Sequence, residues 1–246
     1  MYLYSVSAGQ FRNHIQCVKK FVCAGDNLGS SHYVTFDDGQ ISQYVHAFPV
    51  LQDEGIKATF FVTPGWTENR TGYMSWQQLA ELVKCGHAVQ SHGWSHRLLT
   101  QCDPQQLRDE LLRSRMVMED RLGTKVDAIS TPGGRWNEKI LAACAEAGYK
   151  RVFTSDPWMT ASKRSGVEVA GRWMVTRKMQ EADINSRLQG TGSHLYFLRA
   201  SYTAKAAVRR ALGDKSYQAI WRALSGKQQS MEILDEQAAS KPGLRS

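Results

Sequence analysis

The feature that most constrains the fold of this chain is a repeated order of short apolar runs and helix-like stretches. Five segments have the β-branched and aromatic residues that are typical of strands: residues 33–36, 58–62, 87–90, 128–130 and 151–155. Helix signals lie between them, such as the N-cap Ser75 with Gln78 three residues later, and Asp103-Pro104 at the start of a helix that runs to Gly123. This β-then-α order predicts an α/β fold in which helices cover a parallel sheet that closes into a barrel.

The length of 246 residues suits one large α/β domain with a further segment behind it. No linker interrupts the alternation early, so we predict a domain over 1–200 and a separate segment over 201–246. Seven Lys or Arg and one Asp lie between Arg199 and Lys227, and this stretch carries most of the net charge of +8. Apolar residues recur there at helical spacing. The pattern predicts a basic helix that contacts a membrane surface or anionic polymer through residues 201–227, or that packs against the barrel.

Charge, cysteine content and the N-terminus narrow the class of protein. No nucleic-acid recognition motif accompanies the basic stretch, so we expect no nucleic-acid partner. The five cysteines are scattered and lack paired metal-site spacing, which predicts free thiols in a reducing compartment. The first residues lack a basic start followed by an apolar stretch, so we expect no signal peptide and a cytoplasmic location, with peripheral membrane contact as an alternative. The oligomeric state stays open.

Polar or unusual residues follow four of the predicted strands, at the point where each strand ends. In a parallel β/α barrel the carboxyl ends of the strands form one rim, and the functional site lies there. We therefore expect these four loops to meet at a single site: Asp37-Asp38-Gly39, residues 92–96, residues 131–134 and Asp156-Pro157-Trp158.

Two histidines and a carboxylate in these loops could hold a metal ion. His92 and His96 are four residues apart, and on a helical turn both rings would face the same way. Asp38 would complete a set of two histidines and one carboxylate with an open coordination position, which is typical of catalytic zinc. Asp37 would then remain as a base that takes a proton from water activated by the metal. The alternative is that Asp37-Asp38-Gly39 is only a turn.

Three of these motifs resemble the polysaccharide deacetylases of the NodB-homology type, also known as carbohydrate esterase family 4. They are "TFDDG", "SHGWSH" and a Pro-Gly loop, and the resemblance runs from about residue 30 to 175. It implies a distorted (β/α)₇ barrel and a divalent metal, most often zinc, that serves to remove N-acetyl or O-acetyl groups from sugar polymers. It also implies that Asp37 is the catalytic base and that Asp38, His92 and His96 are the metal ligands.

The sequence departs from the pattern of this family at three places. Gly93 stands where the family has Ser or Thr, and Ser130 stands where it has an arginine that holds the base. Arg135 or Arg172 could supply that positive charge from another direction. No clean match exists for the family's late general-acid histidine, for which His194 is the default candidate, with a surface or core histidine as the alternative.

The third loop and nearby aromatic residues are the predicted substrate contacts. By position, the backbone N–H of Gly133 would stabilise the oxyanion. Gly134, Arg135, Trp136 and Trp158 complete the predicted contacts, because indole rings stack well on sugar faces. Trp66, Trp94 and Trp173 also lie near the predicted rim, and any of these rings could instead belong to the core.

We therefore predict a metal-dependent hydrolase, with Zn²⁺ as the expected divalent metal, that removes N-acetyl groups from a sugar polymer or sugar conjugate. The loops around Trp136 and Trp158 resemble a subgroup associated with bacterial exopolysaccharide synthesis. Three alternatives remain: an O-acetyl esterase, a hydrolase of small amides, and a catalytically inactive barrel that only binds glycan. An ester has a better leaving group than an amide, so it demands less of a general acid.

Overall fold

The structure, a computed structural model, describes residues 6–24, 34–157 and 161–191 and a few positions between 200 and 208. The chain divides into two compact units, Met1–Gly192 and Ser193–Ser246, and the fold below is that of the first. The predicted basic helix lies almost wholly outside the described residues, so its role and the domain boundary at residue 200 stay predictions. Within the described part, no helix has the length and apolar character needed to cross a membrane.

Within residues 34–157 and 161–191, seven strands form one sheet, which curls into a half-barrel and confirms the predicted α/β fold. The order is β1-β2-β3-β4-β5-β7-β6, and every neighbouring pair is parallel except the β6–β7 hairpin. The strands are β1 (Thr35–Phe36), β2 (Thr59–Val62), β3 (Ala88–Ser91), β4 (Ala128–Ser130), β5 (Arg151–Phe153), β6 (Ser162–Arg164) and β7 (Val167–Ala170).

In the described part of the first unit, six α-helices accompany the sheet, and the capping residues seen in the sequence start two of them. Ser75 with Gln78, and Asp103 with Gln106, form the reciprocal hydrogen bonds of a capping box. A π-helical turn at Gln43–Ala47 runs directly into the second helix. The α-helices are α1 (Ala8–Cys23), α2 (Phe48–Glu54), α3 (Trp76–Lys84), α4 (Pro104–Leu122), α5 (Glu138–Glu146) and α6 (Glu181–Gln189).

Four elements of the structure were not predicted from the sequence. Helix α1 precedes the first strand and packs against α2 and α6. Strands β6 and β7 and helix α6 follow the last predicted strand. Strand β6 is short, and the sequence Ser162-Lys163-Arg164 has no strand pattern, so its pairing with β7 defines it. These elements extend the sheet beyond β5 and bring the residues after β7 close to β1.

Strands β2, β3 and β4 are largely buried on both faces because helices or the barrel interior cover each side. Strand β2 is buried at every position, and Phe60 and Phe61 point to opposite faces with no exposed surface. Phe60 stacks on Phe36 of β1, and Phe61 contacts Phe153 of β5. This core fixes the positions of the strand ends, from which the functional loops emerge.

A buried histidine at the amino ends of the strands, His87 before β3, makes stability depend on pH. The ring of His87 is 4% exposed; its Nδ1 accepts the N–H of Ala58 (3.1 Å) and its Nε2 lies 3.2 Å from Oε1 of Gln52. Burial, assisted by the charge of Lys57, lowers the pKa of His87 from 6.5 to about 4. The folded protein therefore stays neutral at His87 in a range where the unfolded chain binds a proton.

We expect the free energy of unfolding to fall as the pH decreases from 6.5 towards 4, with His87 contributing up to about 3 kcal/mol of that fall. His87→Asn keeps an acceptor for the N–H of Ala58 and cannot titrate in this range. Urea unfolding of both proteins at several pH values measures the difference. A wild-type protein that loses no more stability than His87→Asn over this range would contradict the account.

Candidate active site

The four loops predicted to form the site all lie at the carboxyl ends of the strands. Asp37 and Asp38 follow β1, His92 follows β3, Thr131 follows β4, and Asp156 comes shortly after β5. These strands are parallel, so their carboxyl ends form one rim. The chain thereby brings residues that are more than 100 positions apart to one place.

Asp38, His92 and His96 form a cluster that could hold a metal ion. One Asp38 oxygen, Oδ1, lies 3.2 Å from Nε2 of His96 and 3.5 Å from Nε2 of His92. One ligand atom from each of the three residues lies within 4.8 Å of the others. Two imidazole nitrogens and one carboxylate leave a coordination position for water or substrate, as in catalytic zinc sites.

The protonation of His92 suits a metal ligand. Its Nδ1 lies 2.8 Å from the backbone carbonyl oxygen of Ser130, which can only accept a hydrogen bond, so Nδ1 carries the proton. The lone pair is then on Nε2, which faces Asp38. Burial lowers the pKa of His92, which keeps the ring neutral. Metal-bound histidines in general donate their second ring N–H in this way, so the donor set fits a divalent cation of the zinc type.

Asp38 is held as a carboxylate. Burial by itself would raise the pKa of Asp38, but the hydrogen bond with His96 and the electrostatic interaction with both imidazole rings lower it overall. An ionised carboxylate is the form that binds a metal ion. Asp38, like His92, is thus in the state that a metal ligand needs.

The loop between the two histidines is not a helical turn, so that part of the prediction was wrong. Gly93 has a φ of 76° and His96 a φ of 61°, both in the left-handed region. The change of direction at Gly93 and the backbone at His96 bring the two rings together. Asp38 is also left-handed, with a φ of 77°. Non-glycine residues rarely adopt this conformation, and where they do the surrounding structure must hold it.

The neighbouring carboxylate, Asp37, forms a bidentate ion pair with Arg172. Nη1 of Arg172 donates to Oδ1 of Asp37 (2.7 Å), and Nη2 donates to Oδ2 (2.8 Å), which is a two-pronged pair. The hydroxyl of Ser130 donates to Oδ2 as well (3.2 Å). These contacts use three of the roughly four acceptor sites of a carboxylate. Among the described residues, no further group contacts Oδ1, so one site on this oxygen stays available for a proton or a water molecule.

The electrostatics keep Asp37 ionised. Burial would raise the pKa of Asp37, but the positive charge of Arg172, with the hydrogen bonds from Arg172 and Ser130, outweighs it and lowers the pKa to about 2. About a third of the side chain of Asp37 remains exposed, so a small molecule can reach it. Arg172 itself is 14% exposed, and its guanidinium lies over the ring of Phe61.

Arg172 comes from a distant part of the chain. It follows β7, and Nη1 also donates to the hydroxyl of Thr35 on β1 (3.1 Å), while Nη2 donates to the hydroxyl of Ser130 (2.6 Å). Of the two arginines proposed from the sequence, Arg172 is thus brought to Asp37. Ser130, which replaces the family's arginine, forms hydrogen bonds with both members of the pair.

The predicted oxyanion turn follows β4. Gly133 and Gly134 both have a φ of 65°, and a Cβ at Gly133 would lie 2.8 Å from Cδ2 of Leu98. A Cβ at Gly134 would collide with Ser155, so both positions require glycine. The N–H of Gly134 donates to the carbonyl of Thr131 (2.8 Å) within the turn.

Of the two tryptophans predicted to contact the substrate, the structure describes Trp136. Trp136, which follows the half-buried Arg135, packs partly buried against the hydrophobic core with the guanidinium of Arg164 over its ring, an arrangement that favours a packing role. Trp158 and the candidate acid His194 lie outside the described residues, so their roles stay predictions.

Trp66, one of several rings near the predicted rim, stacks on the imidazole of His96. The ring centroids are 5.0 Å apart and the planes differ by 30°. Arg70 and Tyr73 contact the same indole. Trp66 therefore supports a predicted metal ligand. The sequence shows only an aromatic residue after β2, and nothing there indicates which ring meets His96.

Comparison with known proteins decides the family. A family model described as "Polysaccharide deacetylase" matches residues 24–152, more than half of the chain. The chain belongs to the polysaccharide deacetylase family. The resemblance of "TFDDG" and "SHGWSH" to this family is therefore confirmed.

Individual members of the family are moderately similar to this chain. YxkH of Bacillus subtilis is 32% identical over 146 residues, which is 59% of this chain and 52% of YxkH. A chitooligosaccharide deacetylase of Bradyrhizobium sp. is 31% identical over 137 residues, 54% of this chain and 60% of that enzyme. This chain thus spans only about half of the length of the curated relatives it matches.

A solved structure supports the fold over a larger share of the chain. Streptococcus pyogenes deacetylase PplD in complex with acetate aligns with a TM-score of 0.66 and 25% sequence identity. The alignment covers 74% of this chain and 87% of that one. The half-barrel and its rim therefore belong to a known type of deacetylase fold.

Proposed function

We propose that this chain is a zinc-dependent hydrolase that removes N-acetyl groups from a carbohydrate polymer or conjugate. The observation that carries the proposal is an ionised Asp37, fixed by Arg172, directly beside the cluster of Asp38, His92 and His96. Hydrolysis by activated water requires a charged base next to side chains that can together bind one metal ion. The chitooligosaccharide deacetylase among the relatives supports the choice of an N-acetylated sugar as substrate.

In this mechanism each side chain has a separate task. A divalent cation held by Asp38, His92 and His96 would supply Lewis acidity, which makes water more acidic and polarises a carbonyl. Asp37 accepts the proton of the attacking water at its free Oδ1 position, and Arg172 keeps that carboxylate ionised and oriented. Because the N–H of Gly134 is engaged in the turn, we assign the oxyanion hydrogen bond to the N–H of Gly133.

The bond changes define what must be protonated. A carbon–oxygen bond forms, the carbon–nitrogen bond of the acetamide breaks, and acetate and a free amine result. The leaving nitrogen needs a proton, which can return from Asp37 or come from His194. Because protonated Asp37 is a strong acid when its pKa is low, it can release the proton readily. The hydrolysis of an N-acetyl group therefore remains feasible even if His194 has no role.

The remaining alternatives differ in substrate or in the absence of catalysis. An O-acetyl esterase or a hydrolase of small amides would use the same residues. A glycan-binding barrel without activity would have no need for a fixed, ionised Asp37, and the Arg172 pair argues against it. We also expect a cytoplasmic location, and peripheral contact with a membrane or anionic polymer through residues 201–227.

Acetate release from an N-acetylglucosamine oligomer tests the proposal. The protein is stripped of metal with a chelator and assayed before and after zinc or cobalt is restored, with an O-acetylated sugar oligomer and a small N-acetyl amide in parallel. We expect release from the N-acetylated oligomer that depends on metal. Release from the ester alone would establish the esterase, and no release from any substrate with metal bound would favour the binding barrel.

A further inference from the structure

Helix α4 contacts the loop that carries two of the predicted metal ligands. We call residues 92–96 the ligand loop. Two α4 residues one turn apart, Glu110 and Ser114, point towards it and are buried, with 6% and 0% of their surfaces exposed. Neither belongs to a motif seen in the sequence. Their contacts suggest a role in shaping the loop.

Both carboxylate oxygens of Glu110 accept hydrogen bonds from a single residue of the ligand loop. Oε2 accepts the backbone N–H of Ser95 (2.9 Å), and Oε1 accepts the hydroxyl of the same residue. Among the described residues Glu110 forms no ion pair. Burying a carboxylate without a cation is costly, and the two hydrogen bonds from Ser95 offset part of that cost. The next residue after Ser95 is His96, whose backbone is left-handed.

Ser114 holds the first half of the ligand loop in a similar way. Its hydroxyl lies 2.7 Å from that of Ser91, the last residue of β3, and the Ser91 hydroxyl accepts the N–H of Gly93 (3.1 Å). A Cβ at Gly93 would come within 3.3 Å of Oε2 of Glu110. The absence of a side chain at Gly93 thus leaves room for the Glu110 carboxylate beside the loop.

We propose that Glu110 is a positioning residue for His96, acting through the backbone and hydroxyl of Ser95. Its two hydrogen bonds fix the N–H and side chain of the residue before His96, and so hold the backbone conformation that turns the imidazole towards Asp38. Ser114 performs the corresponding task for Gly93. This inference rests on the proposed metal site of Asp38, His92 and His96, and it explains how a loop with Gly93 in its centre keeps a fixed shape.

The test is the zinc affinity of metal-stripped protein, measured by competition with a chelator dye at a temperature where each variant is folded. We expect Glu110→Ala to weaken zinc binding by about 10- to 100-fold, the range typical when a group that orients a ligand is removed. Glu110→Gln, which still offers an oxygen to the N–H of Ser95 and an amide to its hydroxyl, should recover most of the affinity. Asp109→Ala removes an equal charge from the exposed face of α4 and should leave the affinity unchanged.

A Glu110→Ala protein that is less stable but binds zinc as tightly as the wild type would overturn the proposal, because Glu110 would then only support folding. If Glu110→Ala does not fold, Ser95→Ala decides: it removes one of the two hydrogen bonds and should weaken zinc binding several-fold, and unchanged affinity would overturn the proposal. The proposed activity is tested separately, since a wild type that binds zinc without releasing acetate refutes the deacetylase and leaves the Glu110 comparison intact.

Discussion

Asp37→Asn is expected to reduce acetate release by about 10³-fold while zinc stays bound. The amide is nearly the same size and keeps one acceptor for Arg172, but it cannot take a proton from water. Asp37 is not among the three predicted metal ligands, so the zinc affinity should change by no more than a few-fold. The measurement is kcat for acetate release at saturating zinc, together with zinc content per chain.

Asp127→Asn is the matched control for this change. Asp127 is also an aspartate that forms ion pairs, with Lys125 and Arg151. It precedes β4 and therefore lies at the amino ends of the strands, away from the site at their carboxyl ends. We expect full activity for this control. An Asp37→Asn protein that retains activity within tenfold of wild type would show that Asp37 is not the base.

Arg172→Met is expected to lower kcat by about 10²-fold with little change in KM. Removing the guanidinium takes away two of the three hydrogen bonds to Asp37 and the largest influence that lowers its pKa, so the carboxylate loses its orientation and its pKa rises. Arg172→Lys should also be impaired, since an ammonium group cannot make the two-pronged contact. Lys163→Met on strand β6 removes an exposed cation and serves as the control.

A relocated arginine provides the stronger test of this role. The hydroxyl of Ser130 lies 2.6 Å from Nη2 of Arg172, so an arginine at 130 could reach the position that the guanidinium vacates. We expect Ser130→Arg combined with Arg172→Met to recover part of the lost kcat. If the double variant is no better than Arg172→Met, and both are folded, the positive charge is not what Asp37 needs from Arg172.

Much of the site can be predicted from the sequence because its residues lie directly after strands that are recognisable in the sequence. Asp37, Asp38 and His92 each come directly after a recognisable strand, and parallel strands bring their carboxyl ends to one rim. The residue types then indicate metal chemistry without any knowledge of tertiary contacts. The capping boxes that start α3 and α4 were predictable for the same reason, since their hydrogen bonds span only three residues.

The sequence does not decide the supporting residues, because their partners are distant along the chain. It offers Arg172 only as one of two candidates beside Arg135, and it does not single out Glu110. Arg172 acts on a carboxylate 135 positions earlier, and only the packing of β7 beside β5 brings it there. Glu110 looks like any acidic residue of an exposed helix. The ligand loop itself was predicted as a helical turn, because the spacing of His92 and His96 fits a helix as well as it fits a loop that turns at a glycine.

The most direct test of the account is a zinc titration of the metal-stripped protein beside His96→Ala and His46→Ala. His96 is one of the three predicted ligands, and His46 is an exposed histidine on the π-helical turn. We predict that the wild type and His46→Ala bind about one zinc ion per chain, and that His96→Ala loses most of this affinity while remaining folded. A wild type that binds no divalent metal, or a His96→Ala protein that binds zinc with full affinity, would contradict the account.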